Sequence, residues 1–254
     1  MVADMDTIYA LHGAKFEHAL HLVNFLPGVD TYEDLGVCYG ILQVTRNRAK
    51  QDGHPLVVTE VGTYAGRMGA GLSAAFAQCP QDRLYLVDSF EGIKDKDPDS
   101  LGGPWKEFQT AEKISGVDLH SHLRMCLYSL GARDNVICLR GSPASLGKNF
   151  DRTHRDAKID FLIFNNLDLP YREYLDVANS WLQWLRLGAP VMFFGLQSEA
   201  VSAVVKELLT RKWTLLRQGA SGMRSHAVLV RPVDETSGSI GNELIEDEDL
   251  KDET

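Results

Sequence analysis

The chain has 254 residues, 44% of them hydrophobic, and a formal net charge of −9, a length that suits one α/β domain with additions. The acidity is concentrated at one end: residues 233–254 hold nine carboxylates against Lys251, a net of −8, so the body is close to neutral and lacks the basic excess that a phosphate backbone requires. Polymeric nucleic acid is therefore not an expected substrate. No apolar run approaches the ~18 residues of a membrane span, the N-terminus carries no signal-peptide pattern, and Cys38, Cys79, Cys126 and Cys138 share no metal-ligand spacing; the expectation is a cytoplasmic protein with reduced, buried thiols.

Residues 1–53 read as a helical cap. Apolar residues recur at helical spacing over Ala10–Phe25, Pro27-Gly28 breaks the pattern, and Tyr32–Lys50 forms a second amphipathic segment. His12, His18 and His21 fall in the first of these, without the carboxylate-rich set that would make a metal face of them. Residues 54–232 carry the strand-and-helix alternation of a doubly wound sheet. Leu56–Val61 is a buried strand and runs into Gly62, Ala65, Gly66, Gly69 and Gly71, a turn rich in residues that tolerate positive φ and close approach. A helix begins near Gly66 and offers the unpaired N–H groups of its first turn. Arg83–Asp88 is the second strand, ending in the carboxylate of Asp88 followed by Ser89.

A polar loop, residues 94–103, comes next, with Trp105 and Phe108 behind it. Leu119–Leu130 reads as a helix and Val136–Arg140 as strand three, with Gly141 and Ser142 at its tip. Strand four is Ile159–Phe164, ending at Asn165; the helix Pro170–Leu187 follows, with Tyr174, Trp181 and Trp184 in its packing face. Strand five is Pro190–Leu196, then a helix over Ser198–Lys212, strand six over Trp213–Gln218, and an antiparallel last strand over His226–Arg231. The loop Gly219–Ser225 should then hang over the carboxyl edge of the sheet and bring His226 beside the pocket. Residues 233–254 are an acidic tail, too charged to pack and expected to be disordered.

The turn Glu60-Val61-Gly62-Thr63-Tyr64-Ala65-Gly66 is E-x-G-x-x-x-G, and glutamate at 60 disfavours the dinucleotide fingerprint and an NAD-linked oxidoreductase. It resembles the first motif of class I S-adenosylmethionine-dependent methyltransferases. The run Val87-Asp88-Ser89-Phe90-Glu91-Gly92-Ile93 is similar to the second-strand motif of macrocin-type sugar O-methyltransferases, and the likeness extends over roughly Val57–Leu196. The resemblance implies a Rossmann-like, mostly parallel seven-stranded sheet with the N-terminal helices as a lid or homodimer contact. It implies a cofactor held by Glu60, Gly62, Thr63, Tyr64, Gly66, Asp88, Ser89, Gly141, Ser142 and Asn165. Asp88 at the tip of strand two has the offset needed to accept ribose hydroxyls.

The sequence departs from that family where it matters chemically. The macrocin-type enzymes hold a divalent cation with aspartates after strands four and five; here Asn165 stands at the first position and Phe194-Gly195-Leu196 at the others. Asp168 alone carries too little charge to hold Mg²⁺, so no metal is expected and proton removal falls to a side chain. His226 and Asp168 are the candidate bases, ahead of Tyr171, Gln197 and Glu199, and Arg172 and Arg224 are candidates for an anionic substrate group. No G-x-S-x-G elbow or phosphate loop is present. The reading is S-adenosylmethionine-dependent O-methylation of a small molecule without a metal. The alternative is a degenerate or repurposed member of the fold that acts as a binding partner or in non-methylating chemistry.

Overall fold

The computed structural model describes residues 30, 32–77, 79–91, 118–132, 134–153, 158–165, 167, 169–221 and 224–233. The expected helix over Ala10–Phe25 with its three histidines, the loop at 94–103 with Trp105 and Phe108, Asp168, and the acidic tail beyond Val233 lie outside them. Fourteen elements are described. Helix α1 (Tyr32–Gln51) precedes β1 (Val57–Val61), α2 (Arg67–Phe76), β2 (Arg83–Asp88), α3 (Leu119–Ser129) and β3 (Val136–Arg140). Short helices α4 (Pro143–Lys148) and α5 (Phe150–Thr153) lead to β4 (Phe161–Phe164), α6 (Tyr171–Leu182), β5 (Pro190–Phe194), α7 (Glu199–Thr210), β6 (Thr214–Ser221) and β7 (Arg224–Val230).

The strands form one sheet in the order β3-β2-β1-β4-β5-β7-β6. Five are parallel, and β7 inserts antiparallel between β5 and β6. The chain order reverses between β1 and β4, so a crevice opens at the carboxyl ends of these two strands. The strands are apolar on both sides because both faces are covered. Val58, Leu84, Leu86, Ile163, Met192 and Val228 share a core with α1, α2 and α3. Val57, Tyr85, Leu162, Val191, Phe193 and Leu229 pack beneath α6 and α7.

Local sequence explains the helices. Glu33 and Asp34 open α1 and Arg48 and Lys50 close it, charges that oppose the helix dipole. Asp118 caps α3 by accepting from the Ser121 N–H at 2.7 Å, and Pro143 occupies the first turn of α4. Tyr174, Val177, Ala178 and Trp181 in α6 recur at three- and four-residue spacing and are buried.

Two expectations are corrected. The helix expected over Pro170–Leu187 ends at Leu182, because tertiary contacts claim the residues beyond it: Leu185 bridges Ile159 and the Trp184 indole donates to the Gly147 carbonyl of α4 at 2.7 Å. The segment Gly219–Ser225, expected as an open loop, is largely strand, with Gly219 paired to His226 and Ser221 to Arg224. Arg224 and His226 are thus carried by the sheet itself. Trp181 is fully buried, with Nε1 donating to the Pro143 carbonyl at 2.9 Å. Trp181→Ala should cost about 3–5 kcal/mol in urea unfolding, whereas Tyr128→Ala, at an 85% exposed position, should stay within about 0.5 kcal/mol of the parent.

Candidate active site

The glycine turn is built by its backbone. Gly62 and Gly66 have φ of 87° and 82°, and Tyr64 is also left-handed at 50°, conformations that glycine adopts without steric cost. The room left by the missing side chains is taken by the protein. A Cβ on Gly62 would lie 1.7 Å from the Asn165 carbonyl oxygen, and one on Gly66 would lie 2.2 Å from the Leu123 side chain. Those two glycines let β1 close against the end of β4 and against α3, a packing role that the sequence reading did not assign.

Asp88 ties the tip of β2 to this turn. Its carboxylate accepts from the Tyr64 N–H and the Phe90 N–H, both at 2.8 Å, and burial pushes its pKa up. Oδ1 also accepts from the Ser89 hydroxyl at 3.5 Å, whereas Oδ2, with the Tyr64 N–H, keeps a second lone pair for a ligand hydroxyl. Ser89 Oγ accepts from the Glu91 N–H at 3.3 Å. The Gly141 N–H donates to the Asp88 carbonyl at 3.0 Å and Ser142 opens α4, so the expected residues of strands two and three meet at one edge. Thr63 is buried, with its hydroxyl donating to the Glu60 carbonyl at 3.3 Å.

The second half of the site is a buried polar chamber between the sheet and α1. Glu60, Asn165, Phe194, Arg224 and His226 project from four adjacent strand ends toward the helix. Glu60 is fully buried. Its Oε1 accepts from Asn165 Nδ2 at 2.9 Å, and its Oε2 has no partner among the described residues. Burial, reinforced by Asp30, pushes the Glu60 pKa up to about 8. The Asn165 amide also donates to Asp30 Oδ1 at 3.1 Å. Arg224 completes the ring, with Nη1 donating to Asp30 Oδ1 and Nη2 to Asn165 Oδ1, each at 2.5 Å. Its guanidinium lies 4.5 Å from the Phe194 ring centroid, a cation–π contact in a water-poor setting.

Expected site residues fare differently. Arg224 is 5% exposed and built into the chamber, while Arg172 is exposed on α6. Tyr171 is turned to Glu207 and Gln197 to Ser225. His226 is 1% exposed, and neither ring nitrogen has a hydrogen-bond partner among the described residues. Burial, then Arg217, lowers its pKa, so the imidazole is neutral at physiological pH. The residues not anticipated are Asp30, Asp34 and Cys38, all buried. Asp34 and Cys38, four apart, share one side of α1, and Asp30 lies just before the helix; a buried acid on that otherwise apolar face was the available signal.

Asn165 Oδ1 and Asp30 Oδ1 are both engaged by the fixed positive charge of the Arg224 guanidinium, which disfavours a divalent ion at these two oxygens. Among the described residues no group of three His, Cys, Asp or Glu could hold a metal.

Together these features define a Rossmann-like methyltransferase fold with its crevice lined at the carboxyl edge. No family model and no curated protein matches the sequence, but solved structures match the fold. The O-methyltransferase NovP superposes with a TM-score of 0.57 at 14% identity, covering 90% of this chain and all of the other. A putative O-methyltransferase from Klebsiella pneumoniae gives a TM-score of 0.51 at 12% identity, covering 87% of this chain and 90% of that one. No helix among the described residues is long and apolar enough to cross a membrane.

The Glu60 environment has a measurable consequence. Its folded pKa is raised from 4.5 to about 8, so the carboxyl stays protonated where the unfolded chain would ionise it. The associated stability is fully present below the unfolded value and is lost as pH rises through the folded one. Between pH 5 and 9 the wild type should lose stability on the order of a few kcal/mol, and Glu60→Gln should lose less. Parallel pH profiles for the two proteins, from urea unfolding, would contradict this.

Proposed function

We propose that the protein is an S-adenosylmethionine-dependent methyltransferase that methylates a small molecule at oxygen without a metal ion. The observation that carries this reading is the buried Glu60, which leaves one carboxyl oxygen without a partner among the described residues, beside a left-handed glycine turn and one strand away from Asp88. Glu60 suits an ammonium group and Asp88 a pair of ribose hydroxyls, the two ends of an adenosylated amino acid. When bound, that cofactor supplies an electrophilic methyl group on a positively charged sulfur.

The chain's own residues account for the rest. An acceptor hydroxyl needs its proton removed as oxygen bonds to the methyl carbon and the carbon–sulfur bond breaks, with the electron pair leaving on sulfur. His226, held neutral by burial, supplies a base of the right kind, and Asp168, outside the described residues, is the second candidate. Arg224 sets a fixed positive charge at the start of β7, where it favours a developing alkoxide and does in part what a metal would do elsewhere. Exclusion of water by α1 strengthens that attraction. The near-neutral body supports a small-molecule acceptor rather than a nucleic acid. Pairing through the N-terminal helices to form a homodimer belongs to the same reading.

The test is cofactor binding followed by transfer. Asp88→Ala should weaken S-adenosylmethionine binding by roughly 1.5–3 kcal/mol, the range for hydrogen bonds to a charged group, with the fold checked by circular dichroism. Methyl transfer from labelled cofactor to a panel of hydroxylated acceptors should proceed in EDTA and gain nothing from added Mg²⁺. A well-folded Asp88→Ala protein with unchanged affinity overturns the cofactor assignment. Activity lost in EDTA and restored by Mg²⁺ overturns the metal-free chemistry.

A further inference from the structure

The described residues hold an opening at the other edge of the sheet. A cleft of about 800 Å³ lies between the C-terminal half of α1, the amino ends of β4 and β5, and the outer strands β6 and β7. That volume is in the range of small-molecule sites. The cleft shares no residue with the chamber around Glu60 and Arg224, and it plays no part in the function proposed above.

Its two walls differ in chemistry. One is apolar, formed by Ile41 and Val44 on α1 and by Leu216 on β6, and Val44 and Leu216 are each 61% exposed. The other is basic. Arg48, Lys158, Arg186 and Arg231 line it against two carboxylates, Asp52 and Asp160, in a chain whose net charge is −9. The deeper carboxylate is already committed: Asp160, 4% exposed, accepts from the Val57 N–H at 2.8 Å and lies 2.8 Å from His54 Nε2. Arg186 Nε is 2.9 Å from the same carboxylate, as an ion pair rather than an aligned hydrogen bond. Asp52 is more than half exposed and 3.7 Å from Arg48, a separation and a setting that neutralise little.

Arg48 is held in place by backbone carbonyls, with Nη1 donating to Gly188 at 2.8 Å. The Lys158 ammonium lies 5.3 Å from the Trp184 ring centroid and has no carboxylate partner among the described residues. Positive charge thus lines one side of the cleft and exposed aliphatic surface the other. Organic cations are repelled by this lining. A free inorganic anion leaves the aliphatic wall wet.

We propose that the cleft is a binding site for a small amphipathic organic anion, one with an apolar body against Ile41, Val44 and Leu216 and a carboxylate or sulfonate head against Lys158 and Arg186. The ligand sits against the C-terminal half of α1 and the amino ends of β4 and β5, so it binds without competing for the carboxyl edge.

The probe is 8-anilinonaphthalene-1-sulfonate, titrated by fluorescence into the full-length protein with and without excess S-adenosylhomocysteine. One saturable site is expected, displaced by decanoate at concentrations where decanol has little effect. Lys158→Glu and Leu216→Asp, both at exposed positions, should each weaken the probe severalfold and together by more than tenfold, with melting temperatures near the parent's. The proposal is overturned by the lack of a saturable site, by equal displacement with decanol, by competition from S-adenosylhomocysteine, or by unchanged affinity in folded variants. The decanoate and decanol comparison on the wild-type protein decides the matter if a variant does not fold.

Discussion

A guanidinium that is 5% exposed must find its counter-charge inside the protein, because leaving it unpaired in a low-dielectric interior costs several kcal/mol. Arg224 finds it in Asp30 and in the carbonyl oxygen of the Asn165 side chain. That second contact orients the amide: with Oδ1 facing Arg224, Nδ2 points at Asp30 and Glu60. Glu60 Oε1 is thereby occupied, and Oε2 is left without a partner among the described residues. The state of the residue beside the glycine turn therefore depends on an arginine at the start of the last strand.

The same ring explains why an amide serves at position 165. Asp30 already matches the Arg224 charge, and a carboxylate at 165 would add a second buried anion beside Glu60, whose pKa burial has already raised. The asparagine accepts from the guanidinium and donates to two acids, a combination that only an amide provides. α1 completes the arrangement. Its N-terminal half sets Asp34 and Cys38 over the chamber, Tyr39 donates its hydroxyl to the Gly71 carbonyl of α2 at 2.9 Å, and its C-terminal half walls the cleft at the opposite edge.

Much of the frame was legible in the sequence because it is written locally. β2 and β3 match their expected bounds to the residue, since short aliphatic runs end sharply at polar residues and glycine. E-x-G-x-x-x-G led to the turn, and Asp88 to its partner at the tip of β2. The expected helix ran on to Leu187 because Trp184, Leu185 and Leu187 keep a plausible apolar pattern, while tertiary contacts with Ile159 and α4 claim Leu185 and Trp184. Arg224 was read with Arg172 as a candidate for an anionic substrate group, because its burial depends on Asp30, 194 positions away. Glycines 62 and 66 were read as space for a ligand, whereas that space is filled by Asn165 and Leu123, which no spacing rule reveals. His226 was located correctly on the antiparallel last strand, but its enclosure under α1 comes from packing alone.

The most direct measurement of the central claim is a calorimetric titration with S-adenosylhomocysteine at pH 6.5 in two buffers of different ionisation enthalpy. Glu60 holds a proton in the free protein, with its pKa at about 8, and an ammonium group arriving at Oε2 favours the carboxylate. The account predicts saturable binding with release of close to one proton, seen as a buffer-dependent heat that disappears in Glu60→Gln. Binding with the same heat in both buffers would contradict the role given to Glu60, and the absence of binding would contradict the assignment of the whole carboxyl edge.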